Sequence, residues 1–267
     1  MRNFLLKIAY NGANYHGWQI QENAVTVQEV FQKALLKVTG ENADLKGCSR
    51  TDSGVHAREF CISLKTDSPI PPERLVAALN HYLPLDIAVL ECQRVPEDFH
   101  ARYSCVGKMY RYEIWNDPVR DPFLENRALH YWYPLEVSLL RQAAVQYVGT
   151  HDFSSFCTFD RRAKGDLTRT ITRAEVFREN KKVIFEVCGD GFLYNMVRIM
   201  VGTLLRVQQG KIRADAITQI IEGKNRKLAG PTAPPQGLYL QKVFYQAEEM
   251  PGFEKLPLSN QVTENNV

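Results

Sequence analysis

One order of elements (strand, helix, strands, helix, strand) is written twice along this chain, and that repetition limits its fold more than any other feature. In the first run, residues 4–10 read as a strand. Thr26 and Glu29 then form a capping box, and the helix it opens places apolar residues at 27, 30, 31, 34, 35 and 38 before Gly40 stops it. Phe60, Ile62 and Leu64 alternate on one face of a strand over 59–65. Pro71-Pro72 starts a second helix with Leu75, Val76, Leu79 and Leu83 inward, and residues 87–95 close the run as a strand. The second run has strands over 108–115, 170–178, 182–188 and 239–244, a helix over 136–148 ended by Gly149, and a helix over 194–208. Each run is a split βαβ pattern. The expected fold is therefore α+β: two related ferredoxin- or RRM-like halves, residues 1–105 and 106–246, sharing a continuous antiparallel sheet with helices packed on it. A loosely ordered tail over 247–267 is expected to follow. A cleft where the halves meet is the expected place for a site.

Composition excludes several classes. No run of about 18 apolar residues exists, so a membrane span is not expected. Lys7 interrupts the first apolar run and no small-residue cleavage site follows, which argues against a signal peptide. The six cysteines form no C-x-x-C pair and have no His at ligand spacing, the pattern of reduced, metal-free cysteines in the cytoplasm. A net charge of +3 says little, but its distribution says more. Residues 161–182 hold eight Lys or Arg, Arg161 and Arg162 among them, against three acids. Lys224-Asn225-Arg226-Lys227 is a second cluster, and basic and aromatic residues interleave over 100–112, where Arg102, Lys108 and Tyr110 lie. Each patch alone fits a solvated face; together they suit a polyanion.

Two local features point to chemistry. The segment GCSRTDSGVHA, residues 47–57, packs Arg50, Asp52 and His56 with hydroxyls and a thiol between glycines. Thr-Asp-Ser-Gly is turn chemistry, so the segment is either a plain β-turn or a turn presenting a carboxylate. The second feature is Arg198, set among Val197, Ile199 and other apolar residues of the 194–208 helix. A helix so apolar is largely buried, and a guanidinium there needs partners. Its head either reaches solvent along the helix or faces an acid at a dry site, and Asp52 has the best local claim to be that acid.

These residues carry a resemblance. SRTDSGVHA resembles the R-T-D-x-G-V-H-A signature of the tRNA pseudouridine synthase A family, and so in order do FHARY at 99–103, KMYRY at 108–112, GTHDF at 149–153, GFLYNMVR at 191–198 and APPQGL at 233–238. Ser49 stands where many members have Gly, and Ser53 where Ala is common, departures that touch substrate choice more than chemistry. The resemblance implies isomerisation of uridine to pseudouridine in the anticodon stem-loop of tRNA, at positions 38 to 40. Asp52 corresponds to the family's catalytic aspartate, Tyr110 to its substrate-stacking tyrosine and Arg198 to its helix arginine. It further implies a homodimer with a central RNA-binding cleft, needing neither metal nor cofactor.

The chemistry agrees with these residue types. The N1–C1′ bond must break and the base rejoin through C5, which calls for an ionised carboxylate beside a flipped-out nucleotide. Arg198 would favour that ionised form, and Tyr110 would stack on the detached uracil. Arg50 suits phosphate or the gap left by flipping. His56, Arg102, Lys108, Arg161 and Arg162 are further candidates for RNA contact, with a structural role the alternative for His56. Two other readings stay open: a catalytically silent RNA-binding protein on the same scaffold, which the chain disfavours by lacking an RNP-type aromatic strand, and a paralogue with another uridine target. An Asp-nucleophile hydrolase would need a water-activating or metal-binding partner set that is not found in the sequence.

Overall fold

The computed structural model describes residues 1–158 and 165–255. The chain divides into two compact units, Met1–Cys105 with Tyr239–Tyr245, and Val106–Leu238 with the chain from Gln246 onward. Both mix α and β, with helices packed on sheet.

In the first unit β1 (Arg2–Tyr10) lies between two antiparallel neighbours, β3 (His56–Thr66) and β4 (Ile87–Arg94). Its near-continuous burial follows from that central place: Phe4 faces Leu64, Leu6 faces Ile62 and Ile8 faces Phe60. The short β2 (Leu45–Gly47) pairs with the other side of β3, giving the order β4-β1-β3-β2 of a split βαβ unit. Helix α1 (Val27–Thr39) begins where the capping residues predict, with the Glu29 N–H donating to Thr26 Oγ1. It buries Val27, Phe31, Ala34 and Leu35, and ends at Gly40. Helix α2 (Pro72–Tyr82) is tied to β4 by Asn80, whose side chain both donates to and accepts from the Val89 backbone, at 2.8 and 2.7 Å.

In the second unit β5 (Gly107–Trp115), β9 (Lys182–Gly189), β8 (Thr168–Glu179) and β7 (Gly149–Asp152) lie side by side in that order, all antiparallel. The two-residue β6 (Leu129–His130) pairs parallel with the end of β5. Helix α3 (Val137–Ala144) is shorter than the 136–148 expected, because the chain tightens to a 3-10 turn over Val145–Tyr147. Helix α4 (Met196–Gln208) is apolar on nearly every side and is buried accordingly; α5 (Ile217–Glu222) is a single short helix that the sequence did not announce.

The last strand, β10 (Leu238–Phe244), returns to the first unit. There it pairs with β3 in parallel, Tyr239 opposite His56 and Leu240 opposite Ala57, so the sheet is not antiparallel throughout. The described part of the expected tail is ordered, while residues 256–267 lie outside the described residues. Residues 247–255 are packed, with Ala247 and Met250 buried and Lys255 Nζ donating to the Thr172 carbonyl. Its apolar residues find a surface on the second unit's sheet, which its polar composition concealed. Among the described residues no helix is long and apolar enough to cross a membrane.

Candidate active site

The segment around Asp52 is a turn. The Val55 N–H donates to the Asp52 carbonyl at 3.1 Å, and Gly54 takes φ 77°, which that four-residue reversal requires and glycine readily supplies. What the sequence did not reveal is how firmly the turn is held. The loop over residues 10–18 wraps it from one side. Tyr10 Oη and Thr51 Oγ1 share a hydrogen bond of 2.9 Å, the Gly54 N–H donates to the Tyr15 carbonyl, and the Trp18 N–H donates to the Thr51 carbonyl. Tyr15 is itself fixed by a 2.6 Å bond from its hydroxyl to Asp86, and burial pushes that hydroxyl's pKa well above the ordinary range. The approach is so close that a Cβ on Gly12 would collide with the Val55 carbonyl, and one on Gly17 with the Thr51 carbonyl. The signal was present in the sequence as Gly12, Gly17 and the aromatics Tyr10, Tyr15 and Trp18, but only the fold brings them to Asp52.

His56 is a floor for this turn rather than a surface contact. It is 1% exposed, its Nδ1 accepts from the Gly12 N–H at 3.0 Å, and its ring stacks on Tyr239 at 4.6 Å. The expectation that it touches RNA is corrected accordingly: as an acceptor at Nδ1 it positions the loop that holds Asp52. Arg50, by contrast, is exposed beside the turn. Arg102 is exposed on a tight reversal where His100 Nδ1 accepts from the N–H groups of Arg102 and Tyr103, with its guanidinium over the Tyr103 ring at 5.9 Å.

The second unit carries Tyr110 and Arg198. Tyr110 sits on β5 opposite Val187, 7% exposed, with its ring meeting Phe192 edge-on at 4.9 Å. Arg198 is not in the middle of its helix: it is the third residue of α4 and half-buried. Helical side chains lean toward the N-terminus, so its head turns back over the helix start. There Nη1 donates to Asn195 Oδ1 at 2.9 Å and Nε to the Ala233 carbonyl at 2.8 Å, while the Ala233 N–H returns a bond to the Arg198 carbonyl. Asn195 is left-handed, φ 61°, and its amide nitrogen reaches Thr158 Oγ1, so its side chain is spent on Arg198 and Thr158 rather than on capping. Beneath lies Tyr112, fully buried and bonded to the Pro234 carbonyl at 2.7 Å. Burial drives its pKa upward and the Arg198 charge acts against that. Asn195, Ala233 and Pro234 are thus positioning residues that sequence reasoning missed; the signal was an Asn at the mouth of an apolar helix and a proline-rich loop.

Lys108 is half-buried on β5, whereas Arg161 and Arg162 lie outside the described residues. In the described part of the basic stretch that contains them, several cations are engaged with the protein itself. Arg173 pairs with Glu175, Lys181 with Asp117 at 2.7 Å and Lys182 with Glu113 at 2.6 Å, and Arg178 donates to Asn116 Oδ1 and the Leu135 carbonyl.

Comparison with known proteins places this arrangement. A family model described as tRNA pseudouridine synthase matches residues 7–104 and 143–246, which include Asp52 and Arg198 but pass over Tyr110. A tRNA pseudouridine synthase A of Acetivibrio thermocellus is 52% identical over 245 residues, covering 92% of this chain and 100% of the relative. Those of Clostridium acetobutylicum, 46% identical with the same coverage, and the tRNA pseudouridine synthase A 2 of Clostridium tetani, 43% identical over 91% of this chain and 99% of the relative, are similar too. Among solved structures, the crystal structure of a Cbf5-Nop10-Gar1 complex aligns with 89% of this chain and 58% of its own at 10% identity and a TM-score of 0.33, too remote to carry an argument. With its family model spanning most of both units and its relatives aligned end to end, the chain belongs to the tRNA pseudouridine synthases, isomerases that turn uridine of tRNA into pseudouridine.

Proposed function

We propose that the chain makes pseudouridine in the anticodon stem-loop of tRNA, at positions 38, 39 and 40, with Asp52 as the nucleophile and Arg198 and Tyr110 completing the catalytic set. The observation that carries this reading is the bracing of Asp52: a half-buried carboxylate on a turn clamped by a second loop. A simple surface reversal needs no such clamp, whereas a reacting carboxylate needs a fixed trajectory. Asp52 supplies the group that every route requires, whether the first step is attack on uracil C6, attack on ribose C1′, or proton removal toward a glycal. The N1–C1′ bond breaks, the base turns, C5 bonds to C1′, and the C5 proton leaves as N1 gains one. Arg198, held by Asn195 and Ala233, supplies a fixed positive charge that favours the ionised carboxylate. Tyr110 stacks on the detached uracil, with its hydroxyl as a partner for the C5 proton. Arg50, Arg102 and Lys108, with Arg161 and Arg162, contact the RNA. The protein acts in the cytoplasm as a homodimer, so its sedimentation mass is twice the 30.6 kDa of one chain.

The test is incubation of purified protein with unmodified tRNA and mapping of pseudouridine. The unaltered protein yields product in the anticodon arm. Asp52→Asn lowers the single-turnover rate by on the order of 10³-fold or more while tRNA affinity and unfolding midpoint stay put. Absence of pseudouridine from the anticodon arm with the unaltered protein would overturn the assignment, and product elsewhere would correct its target.

A further inference from the structure

The second unit holds a pocket of about 390 Å³ lined by four cations, Arg206, Lys211, Arg226 and Lys227, together with Ile212 and Leu228. No carboxylate lines it. Among the described residues, none of these four side chains ends in an ion pair, although neighbouring cations do: Lys224 meets Asp152 at 3.0 Å and Arg213 meets Asp215 at 2.6 Å. The four are brought together by two built elements. Arg206 stands in the last turn of α4, where the helix carbonyls favour positive charge, and the Lys211 N–H donates to its carbonyl at 3.0 Å. Arg226 and Lys227 share a 3-10 turn, Arg226–Leu228, capped by the Asn225 side chain.

Arg226 is the fixed wall of the pocket. Its Nη1 donates to the Gly230 carbonyl at 2.8 Å and its Nη2 to Thr232 Oγ1 at 3.4 Å, which leaves further N–H groups of the guanidinium to donate elsewhere. Burial pulls its pKa below the ordinary guanidinium value, with no carboxylate near enough to offset the loss. Like charges repel, so an open depression lined by four of them and by no acid favours an anion.

We infer that this pocket is a phosphate-binding subsite for the tRNA sugar–phosphate backbone, distinct from the group that reacts. The inference rests on the tRNA-modifying function proposed above. Its place in the fold supports it. Arg198 lies in the first turn of α4 and Arg206 in its last, eight residues and therefore about 12 Å apart along the axis. The loop that accepts Arg198 Nε at Ala233 also accepts Arg226 at Gly230, so one short segment braces both. A backbone contact at that remove carries no base information; it sets the register of the RNA, strengthening ground state and transition state alike.

The test uses Lys211→Ala/Lys227→Ala in the full chain, since both side chains are exposed and neither holds another element in place. Equilibrium binding of full-length unmodified tRNA is measured across a salt series beside single-turnover rates. The double variant weakens binding several-fold at low salt, and the slope of log affinity on log salt becomes shallower by about 0.7–0.9 for each phosphate that is no longer neutralised. The rate at saturating tRNA is unchanged. Lys33→Ala/Lys37→Ala, removing two exposed lysines of α1, leaves the slope unaltered. An unaltered slope in the pocket variant, an equal change in the α1 control, or a fall in the saturated rate with affinity intact would each overturn the subsite. Failure of the unaltered protein to bind tRNA at all would instead overturn the function on which it rests.

Discussion

Asp52 and Arg198 are held by different means, and the difference shows which substitutions each will bear. The turn that carries Asp52 is held at Thr51, Gly54 and Val55. Asp52→Asn keeps the size of the side chain and removes its charge. Arg198 is held through its own head, by Nε to Ala233 and Nη1 to Asn195, in the fork geometry that a lysine lacks. Arg198→Lys keeps the charge and loses the placement. Its single-turnover rate should fall by about 10²-fold with tRNA affinity nearly unchanged, the mark of a misplaced group. Full activity in that variant would show that only the charge matters. His56 illustrates another kind of hold: close in sequence to Asp52, it is an acceptor for the Gly12 N–H under the loop.

At the scale of elements, what was legible followed period and punctuation. The Thr26 cap, the α1 stripe and the Gly40 stop read true because each is a local rule acting on adjacent residues. The long strands were found, the short β2, β6 and β7 were missed, and β3 begins at His56 rather than 59, since its first residues pair with Tyr239 and Leu240, nearly two hundred residues away. The clamp on the Asp52 turn was hidden for the same reason, being a meeting of two loops that no periodicity records. It yields a sharp prediction. Gly17 has φ 82° and its missing Cβ makes room for the Thr51 carbonyl, so Gly17→Ala strains the backbone and pushes on the turn at once. It should cost about 1–3 kcal/mol in urea unfolding and depress the rate further than that loss explains. Thr26→Ala, a cap removal on α1, should cost about 1 kcal/mol and leave the rate of folded protein alone. Equal effects of the two on rate would remove the clamp from the account.

For the molecule as a whole, the doubled element order was enough to indicate mixed α and β, but it assigned strand 239–244 to the second half, whereas that strand pairs with β3 in the first unit. Charge was a poorer guide. Within the richest basic stretch in the sequence Arg173, Lys181 and Lys182 are paired with Glu175, Asp117 and Glu113, whereas the short Arg226-Lys227 pair opens onto an acid-free pocket. Counting charges along a chain cannot see which acids the fold will deliver to them.

The return of β10 to the first unit has a consequence for how the protein is born. Tyr239 stacks on His56, and its strand pairs with β3 immediately after the Asp52 turn. A ribosome that has released residues 1–105 has made the Asp52 turn and the 10–18 loop that clamps it, yet not the strand that pairs with β3 beside them. A fragment of residues 1–105 should show strand and helix by circular dichroism but melt broadly and exchange the His56 and Ala57 amides quickly, and a peptide spanning 238–246 should slow that exchange. Cooperative melting with slow exchange in the bare fragment would contradict this. The Asp52 turn therefore gains this neighbouring strand only after residues 238–244 have been made.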